Sequence, residues 1–406
     1  MVQEAKRSPL DSDLLGPIRT ETLTLNMGPQ HPSTHGVLRL VLEMEGENVT
    51  SCKPVIGYLH TGIEKNMEVK TYNKALPMTD RMDYLAPMSN NLGYVLAVER
   101  LLGLEVPRRC RWLRVLLAEL TRIQSHLVWL GTHGLDLGAM TVFLYCFRER
   151  EVILKIFEKV AGVRMMTSYF RVGGVARAPY PEFFDDCRRF LADFPERVDE
   201  YEELLTDNPI YRRRTEGVCP FPAERAIAWG ITGPSLRASG VDYDIRKREP
   251  YSGYEEFQFE VPLGKNGDVL DRYLVRIAEM RQSHRICMQA LEGMPEGPLM
   301  AADPKVVPPP KTQLSHDMEA LIHHFKIFTE GYHVPAGEVY QAIESPRGEL
   351  GYYIVSDGSP KPYKVKVRAP SFANLFALPD FTRGALVGDM VATIGSIDIV
   401  LGEIDR

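Results

Sequence analysis

A long apolar stripe with helical spacing follows Pro107 and constrains this chain more than any other feature. Apolar side chains recur there every three or four residues, at Leu113, Leu116, Leu120, Ile123, Leu127 and Leu130. This is the period of an α-helix with one buried face, and Gly131 is its expected end. Glu119, Arg122 and His126 lie on another face of the same helix. Such a helix needs other helices to cover its stripe, so the sequence predicts a bundle in mid-chain.

Further helical patterns extend this core over 63–336. One helix is expected to begin near Ala139, and another spans Asp268 to Glu292 with its first residue as the N-cap. A shorter amphipathic helix is predicted at Met318 to Thr329, after the prolines at 308–310. The sequence therefore predicts that most of the chain is helical.

Both ends of the chain carry strand patterns instead. Alternating apolar and polar residues on both sides of a Gly/Pro/Ser-rich turn predict a small antiparallel sheet over 20–62. The segment 337–406 is also expected to be strand-rich, with a hairpin turn at Asp357-Gly358. Residues 1–19 are interpreted as an extended N-terminal arm. The predicted fold class is α+β, a central helical bundle with small antiparallel β elements from the N- and C-terminal parts.

Composition excludes several classes of function. The 406 residues carry a formal net charge of −6, which gives no basis for nucleic-acid binding. Six scattered cysteines fit neither a disulfide framework nor a zinc or iron–sulfur site. The most apolar stretch, 123–147, is interrupted by histidine, glycine and aspartate, so no membrane span is expected. No signal sequence and no G-x-G-x-x-G loop after a strand is visible, so neither secretion nor a nicotinamide or flavin site is predicted.

Two histidines lie on the turn between the first two predicted strands. Pro32 separates His31 from His35 and excludes a helical i, i+4 metal pair. Reactive side chains often lie on such loops, although an isolated histidine more often hydrogen-bonds the turn itself. From these residues alone, a structural and a functional role both stay open.

A series of motifs, in order along nearly the whole chain, favours a functional role for this loop. The motifs are GPQHPSTHGVLRL at 28–40, IGYLHTGIEK at 56–65, RMDYL at 81–85, DLGA at 136–139, LRASG at 236–240, RGELGYY at 347–353, VRAPSF at 367–372 and GSID at 395–398. Together they resemble the D subunit of proton-pumping NADH:quinone oxidoreductase, respiratory complex I. That family is similar to the large subunit of nickel–iron hydrogenases, which implies a hydrogenase-like fold.

The hydrogenase relatives hold their metals with two Cys-x-x-Cys pairs. The matching segments here, 81–86 and 396–403, contain no cysteine. A soft, redox-active nickel site needs thiolates, so hydrogen chemistry is excluded. The resemblance implies that the former metal cavity, at the end of the C-terminal segment, receives a quinone instead.

The resemblance implies catalytic roles for three residues. His35 and Tyr84 match the residues that contact the quinone head group, where an imidazole and a phenol can each hydrogen-bond a carbonyl oxygen and deliver a proton. Taken alone, Tyr84 would be interpreted as a core tyrosine. Asp136 matches a carboxylate that pairs with His35, but it is equally a candidate N-cap for the following helix.

Three further residues are assigned to the quinone pocket or to the neighbourhood of the last iron–sulfur cluster: Arg39, Thr132 and Val400. From its position alone, Arg39 would be a solvated strand residue. The chain also departs from its relatives at one place, because Met166 and Thr167 stand where family members often carry a titrating histidine.

As a whole, the resemblance implies a quinone-site subunit that helps pass electrons from the terminal iron–sulfur cluster to quinone and couples this to proton translocation. No cofactor is expected on this chain; FMN and the clusters would lie on partners. The implied partners are a cluster-bearing B-type subunit, a C-type subunit, an I-type ferredoxin-like subunit and a membrane H-type subunit, on the cytoplasmic side of a bacterial cell membrane. Two alternatives stay open: a non-catalytic scaffold, and a D-like subunit of a related complex with another electron donor.

Overall fold

A three-stranded antiparallel sheet begins the part of the chain that this computed structural model describes, residues 22–406; the arm expected at 1–19 lies outside it. The strands are β1 (Thr22–Met27), β2 (Arg39–Glu45) and β3 (Asn48–Val55). Their register places Leu25 opposite Leu42, and Leu42 opposite Cys52. The inner face of the sheet carries Leu40 and Leu42, which are completely buried against the C-terminal helices. The predicted N-terminal sheet is present.

Helices dominate the segment 63–336, as the periodicity predicts. In chain order they are α1 (Ile63–Val69), α2 (Tyr72–Thr79), α3 (Pro87–Leu102), α4 (Arg108–Asp136), α5 (Met140–Ala161), α6 (Phe183–Leu205), α7 (Pro209–Thr215), α8 (Ala223–Ala228), α9 (Pro234–Ala238), α10 (Ile245–Arg248), α11 (Val269–Glu292) and α12 (Met318–Thr329). A short hairpin of β4 (Phe170–Arg171) and β5 (Gly174–Val175) interrupts them between α5 and α6. Asp268 caps α11 as predicted, because its carboxylate accepts the Asp271 N–H at 2.7 Å.

The central helix of this core is α4, along which α5 and α11 pack. Its predicted leucine stripe is buried. The expectation that Gly131 ends the helix is wrong, because α4 continues to Asp136. Gly131 faces α5, where an added Cβ would lie 3.4 Å from Cys146 Cβ and Phe143 Cα. The glycine therefore permits close helix packing instead of marking a helix end.

The C-terminal part begins with a second three-stranded antiparallel sheet packed on α3. Its strands are β6 (Gly337–Ser345), β7 (Gly348–Ser356) and β8 (Lys364–Arg368). The prediction of a strand-rich segment over 337–406 is wrong beyond Arg368, since the rest is helical. The helices are α13 (Pro370–Phe376), α14 (Leu378–Thr382), α15 (Val387–Ser396) and α16 (Leu401–Asp405). Buried Met390, Ile394 and Ile397 follow the helical spacing of four and three residues.

These last helices join the two ends of the described chain. Helix α14 packs on β3, and α15 packs on α4 and on a 3₁₀ turn at Pro32–Thr34. The Asp405 carboxylate accepts the N–H groups of Gly57 and Leu59, at 2.9 and 2.6 Å. These contacts hold the histidine loop, the segment 57–59 and the C-terminal helices in one region, and Gly402 of α16 also lies against the turn before α3. Within 22–406, no helix is both long enough and apolar enough to cross a membrane.

Candidate functional site

Arg347, a buried arginine in the turn between β6 and β7, is the centre of this region. Its Nη1 donates to Asp83 Oδ2 at 2.6 Å and to Ser125 Oγ at 2.9 Å, and its Nη2 lies 3.3 Å from Asp398 Oδ1. The partners come from the turn before α3, from α4 and from the end of α15. A buried charge is costly unless it is paired, so these contacts fix the four segments relative to one another.

A third carboxyl group, Glu403 of α16, completes what we call the Arg347 centre, consisting of Asp83, Arg347, Asp398 and Glu403. Glu403 Oε2 accepts the hydroxyl of Ser371 and, at 3.3 Å, its N–H. Burial, together with the negative charge of Asp83, raises the pKa of Glu403 to about 7. Burial also raises the pKa of Asp398, although the charge of Arg347 opposes this.

His35 lies beside this centre on the loop between β1 and β2. It ends the 3₁₀ turn in the left-handed region, with φ 53°, and its N–H donates to Pro32 O at 3.0 Å. Gly28 makes the loop possible, because an added Cβ would stand 2.1 Å from Leu38 O. Burial and, secondarily, the charge of Arg347 lower the pKa of His35 to about 4. The imidazole is therefore neutral at pH 7 and offers one N–H.

Tyr84 reaches the same centre from the turn between α2 and α3. Helix α16 packs tightly on this turn at Gly402, where an added Cβ would lie 2.6 Å from Met82 O and 3.3 Å from Tyr84 Cε1. Burial and the charge of Asp83 raise the pKa of Tyr84, so the phenol keeps its proton at pH 7. His35 and Tyr84, predicted from separate motifs, thus both lie within the electrostatic influence of Arg347.

Asp136 lies at the last residue of α4, at a second edge of the site. The N-cap interpretation is wrong, because Ala139 is the residue that precedes α5. Burial raises the pKa of Asp136 to about 6, and the histidine whose charge opposes this shift is His31. Within residues 22–406, no hydrogen bond or ion pair joins Asp136 to His35. The expected pairing is thus not formed here, and the histidine whose charge acts on the Asp136 carboxyl group is His31.

The three remaining predicted residues occupy different surroundings. Thr132 donates its hydroxyl to Val128 O at 3.0 Å, within its own helix. Val400 is buried beside the Arg347 centre, since its N–H donates to Ser371 Oγ at 3.4 Å. Arg39 is partly exposed on β2, and its Nη2 donates to Asn26 Oδ1 at 2.8 Å. It braces the strand pair β1–β2 and is more than a solvated strand residue.

Sequence reasoning missed the Arg347 centre as a site. Its members lie in the quoted motifs or in the former metal segment, but none was assigned a role. A signal was present, because Asp398 and Glu403 are carboxyl groups in the otherwise apolar run from Ile397 to Ile404. Charged side chains in a buried apolar run must be paired or protonated, and they therefore indicate a site.

A separate ionic network lies deeper in the bundle. Glu119 bonds to Arg122 and Arg246, and Glu279 bonds to Arg237 and, at 2.9 Å, to His126 Nε2. Burial lowers the pKa of His126 to about 4. These pairs connect α4, α9, α10 and α11, and we interpret them as structural.

The α+β fold, with no cysteine in the segments 81–86 and 396–403, agrees with a hydrogenase-like large-subunit class that lacks thiolate ligands. Comparison with known proteins narrows this class. The family model described as "Respiratory-chain NADH dehydrogenase, 49 Kd subunit" matches residues 136–406. The chain belongs to this family, the D subunits of respiratory complex I, as its motifs indicate.

Individual relatives agree along almost the full length. One of the NADH-quinone oxidoreductase D subunits of Koribacter versatilis is 63% identical over 386 residues, which cover 95% of this chain and 96% of the relative. One of the D subunits of the same enzyme from Chloroflexus aurantiacus is 62% identical, with 96% of this chain and 95% of the relative covered. The D subunit from Geobacter sulfurreducens is 57% identical, with 95% and 99% covered.

Proposed function

We propose that this chain is the quinone-site subunit of NADH:quinone oxidoreductase and works as an oxidoreductase and proton translocase only within that complex. It helps pass electrons from the terminal iron–sulfur cluster to quinone and couples this transfer to proton translocation. The observation that carries the proposal is the convergence of His35 and Tyr84 on Arg347, in a family whose members are named for quinone reduction.

The protonation states of these two residues fit the reaction. A quinone that accepts two electrons becomes basic at both oxygens, and each oxygen then needs a proton. Tyr84 offers a phenolic O–H, which can hydrogen-bond one carbonyl and deliver a proton. The neutral imidazole N–H of His35 can hydrogen-bond the other carbonyl, and His35 delivers a proton only after its imidazole has taken one up, because a neutral imidazole N–H is too weak an acid. The positive charge of Arg347 favours the electron-rich quinone. Asp136 acts on the histidine loop through His31.

The other assigned residues shape the surroundings of the quinone. Val400, buried beside Ser371, forms part of the inner wall. Thr132, one turn before Asp136 on α4, lines the edge of the pocket. Arg39 lies on the side of the cluster, where its guanidinium favours the reduced, more negative cluster electrostatically.

The electrons come from outside this chain. We assign the iron–sulfur clusters and FMN to partner subunits: a B-type subunit with the terminal cluster, an I-type ferredoxin-like subunit and the electron-input subunits. A C-type subunit adjoins this chain, and the membrane H-type subunit completes the quinone tunnel. In this arrangement the chain is a peripheral component of electron transport on the cytoplasmic side of the bacterial cell membrane.

Labelling by a photoreactive quinone in the purified complex tests the proposal. We expect label on peptides that contain His35 or Tyr84, and we expect excess quinone to prevent it. Label found only on other subunits would support the non-catalytic scaffold and overturn the proposal. The third possibility, a related complex with another donor, is not favoured by relatives named for NADH-quinone oxidoreductase, and co-purifying electron-input subunits would decide it.

A further inference from the structure

A cavity of about 1250 Å³ lies between α2, the hairpin β4–β5, the segment 299–313 and α12. It is separate from the Arg347 centre, because none of the four residues of that centre lines it. Its inner wall consists of buried apolar side chains, among them Val172, Val307 and Ile327. Sites for small molecules usually occupy about 300–1,000 Å³, so this cavity has room for more than a small ligand.

Helix α12, one wall of the cavity, has an apolar face that the described chain leaves largely in contact with solvent. The face is a row of five large apolar side chains at helical spacing, each 47–75% exposed: Met318, Leu321, Ile322, Phe325 and Phe328. The buried residues of α12 are Ala320 and Ile327, which lie on another side of the helix. Phe328 also lines the cavity, so the row and the cavity form one apolar surface, which we call the α12 surface. Soluble proteins rarely expose so large an apolar patch unless it is an interaction site.

The charges that line the cavity favour an acidic ligand. Four cationic side chains line it: Lys74, Arg171, Arg177 and Lys311. Within residues 22–406, none of the four forms an ion pair with a carboxylate. Among the described lining residues, Asp303 is the one acidic side chain, and its Oδ1 accepts the Lys305 N–H at 2.9 Å. The protein as a whole has a net charge of −6, so the cavity carries a local excess of positive charge.

The placement of these cations favours a polypeptide over a single head group. They belong to four separate segments, namely α2, β4, the residues after β5 and a 3₁₀ turn at Lys311–Gln313. Several negative charges distributed along a chain suit four such cations better than the one charged group of a lipid or metabolite. Arg171 is also partly removed from water, because burial lowers its pKa although the charge of Asp80 opposes the shift. In this less polar surrounding, an incoming carboxylate interacts with the guanidinium more strongly than it would in water.

We propose that the α12 surface binds a segment of another subunit of the complex, in which apolar residues are flanked by carboxylates. This inference rests on the proposed function, because it assumes a chain that works within the complex. The apolar residues of the segment fill the cavity and cover the row on α12, and this burial supplies most of the binding free energy. The carboxylates of the segment pair with the four cations, which favours this segment over apolar segments without acidic residues.

Photo-crosslinking in the assembled complex tests the proposal. Phe328→benzoylphenylalanine places a photoreactive ring where the row meets the cavity. We expect mass spectrometry to find a cross-link to one peptide of another subunit, a peptide that contains apolar residues and more than one Asp or Glu. A lipid adduct, a peptide from residues 1–21 of this chain, a peptide without carboxylates or the absence of any cross-link would each overturn the proposal. Tyr363→benzoylphenylalanine, at an exposed aromatic residue outside the α12 surface, is the matched control and should not give this cross-link.

Charge reversal tests the cations separately from the apolar surface. Lys74→Glu combined with Lys311→Glu should lower the yield of the Phe328 cross-link about tenfold, because two attractive contacts become repulsive. Both lysines are exposed, and Lys265→Glu is the matched control at an exposed lysine outside the cavity. If the double variant does not assemble, Lys74→Gln combined with Lys311→Gln should lower the yield by a smaller factor. An unchanged yield in the assembled double variant would contradict the acidic character of the bound segment.

The failure of this inference can be distinguished from the failure of the proposed function. If the photoreactive quinone labels peptides with His35 or Tyr84 but Phe328 gives no cross-link to another subunit, this inference alone is overturned. If the cross-link forms and no quinone label is found on this chain, the proposed function fails, while the α12 surface keeps its partner.

Discussion

At the scale of single residues, Tyr84 and His35, which we propose to contact the quinone head group, differ in how firmly they hold a proton. Tyr84 is a phenol that burial and Asp83 keep protonated. His35 is an imidazole that burial and Arg347 keep neutral. His35 is therefore not an imidazolium partner for Asp136 near pH 7, and Tyr84 is the residue whose loss should affect proton delivery most.

Replacing Tyr84 by Phe removes one hydroxyl and little volume. We expect normal assembly and normal electron transfer from NADH to an artificial acceptor. Quinone reductase activity should fall about 10²-fold, the usual contribution of a positioned general acid. Steady-state kinetics with quinone and with the artificial acceptor check this. Unchanged quinone kinetics would remove Tyr84 from the site, and Tyr363→Phe, at an exposed tyrosine, is the matched control.

Asp136→Asn tests a carboxyl group whose pKa is raised. Because burial raises this pKa from about 4 to about 6, folding favours the protonated form. The corresponding contribution to stability is present below pH 4 and is lost as the pH rises through 6. We expect the thermal midpoint of the variant, relative to wild type, to increase between pH 4.5 and 7. Asp193→Asn, at an exposed position, is the control for the loss of one carboxyl group.

At the scale of elements, the sequence predicted whether a segment is a helix or a strand better than it predicted the residues at which the element ends. The helices at Met140–Ala161, Val269–Glu292 and Met318–Thr329 agree with their periodicity and caps. The interpretation of Gly131 was wrong because the sequence does not distinguish a glycine that permits close packing on α5 from a glycine that ends a helix. The C-terminal helices were missed because they are short, and because contacts with the N-terminal sheet stabilise them more than local propensity does.

The close packing of α16 on the Tyr84 turn gives an element-scale prediction. In Gly402→Ala the added Cβ would lie 2.6 Å from Met82 O, so backbone must move. We expect a loss of about 1–3 kcal/mol of stability and weakened quinone reduction, because the turn carries Tyr84. Thermal unfolding and quinone kinetics measure the two effects. In the control Gly388→Ala of α15, the nearest atom is 3.8 Å away, and stability should stay equal or rise slightly.

At the scale of the whole molecule, the sequence predicted those parts of the site that belong to local motifs and missed those that depend on contacts between residues far apart in the chain. His35 and Tyr84 were predicted because each is part of a local motif. Arg347 was not, because its role arises from partners 264 and 51 residues away, Asp83 and Asp398. No local pattern records such a contact. The expected Asp136–His35 pairing failed for a related reason, since a motif does not say which of two loop histidines a distant carboxylate faces.

The segment with Met166 and Thr167 gives a prediction for the assembled complex. A nearby histidine that gains a proton on reduction makes a cluster potential fall by about 59 mV per pH unit. Neither Met166 nor Thr167 titrates. His126 is the histidine that could take over the role of the missing one, but it is buried against Glu279 and its pKa is about 4. We expect the terminal cluster to have a lower potential that is nearly constant between pH 6 and 8.

Redox titration of the paramagnetic signal of the cluster at several pH values checks this expectation. Thr167→His or Met166→His should raise the potential and introduce a slope. A steep slope in the wild-type complex that His126→Gln leaves unchanged would contradict the prediction.

The contacts of Asp405 with Gly57 and Leu59 join residues almost 350 positions apart. While the chain is being synthesised, the apolar inner face of the N-terminal sheet therefore has no partner until the last helices leave the ribosome. Contacts between residues so far apart in the chain form late, and apolar surface stays exposed until they do. An incompletely translated chain that ends before α16 therefore cannot make these contacts or contain the Glu403 carboxyl group of the Arg347 centre.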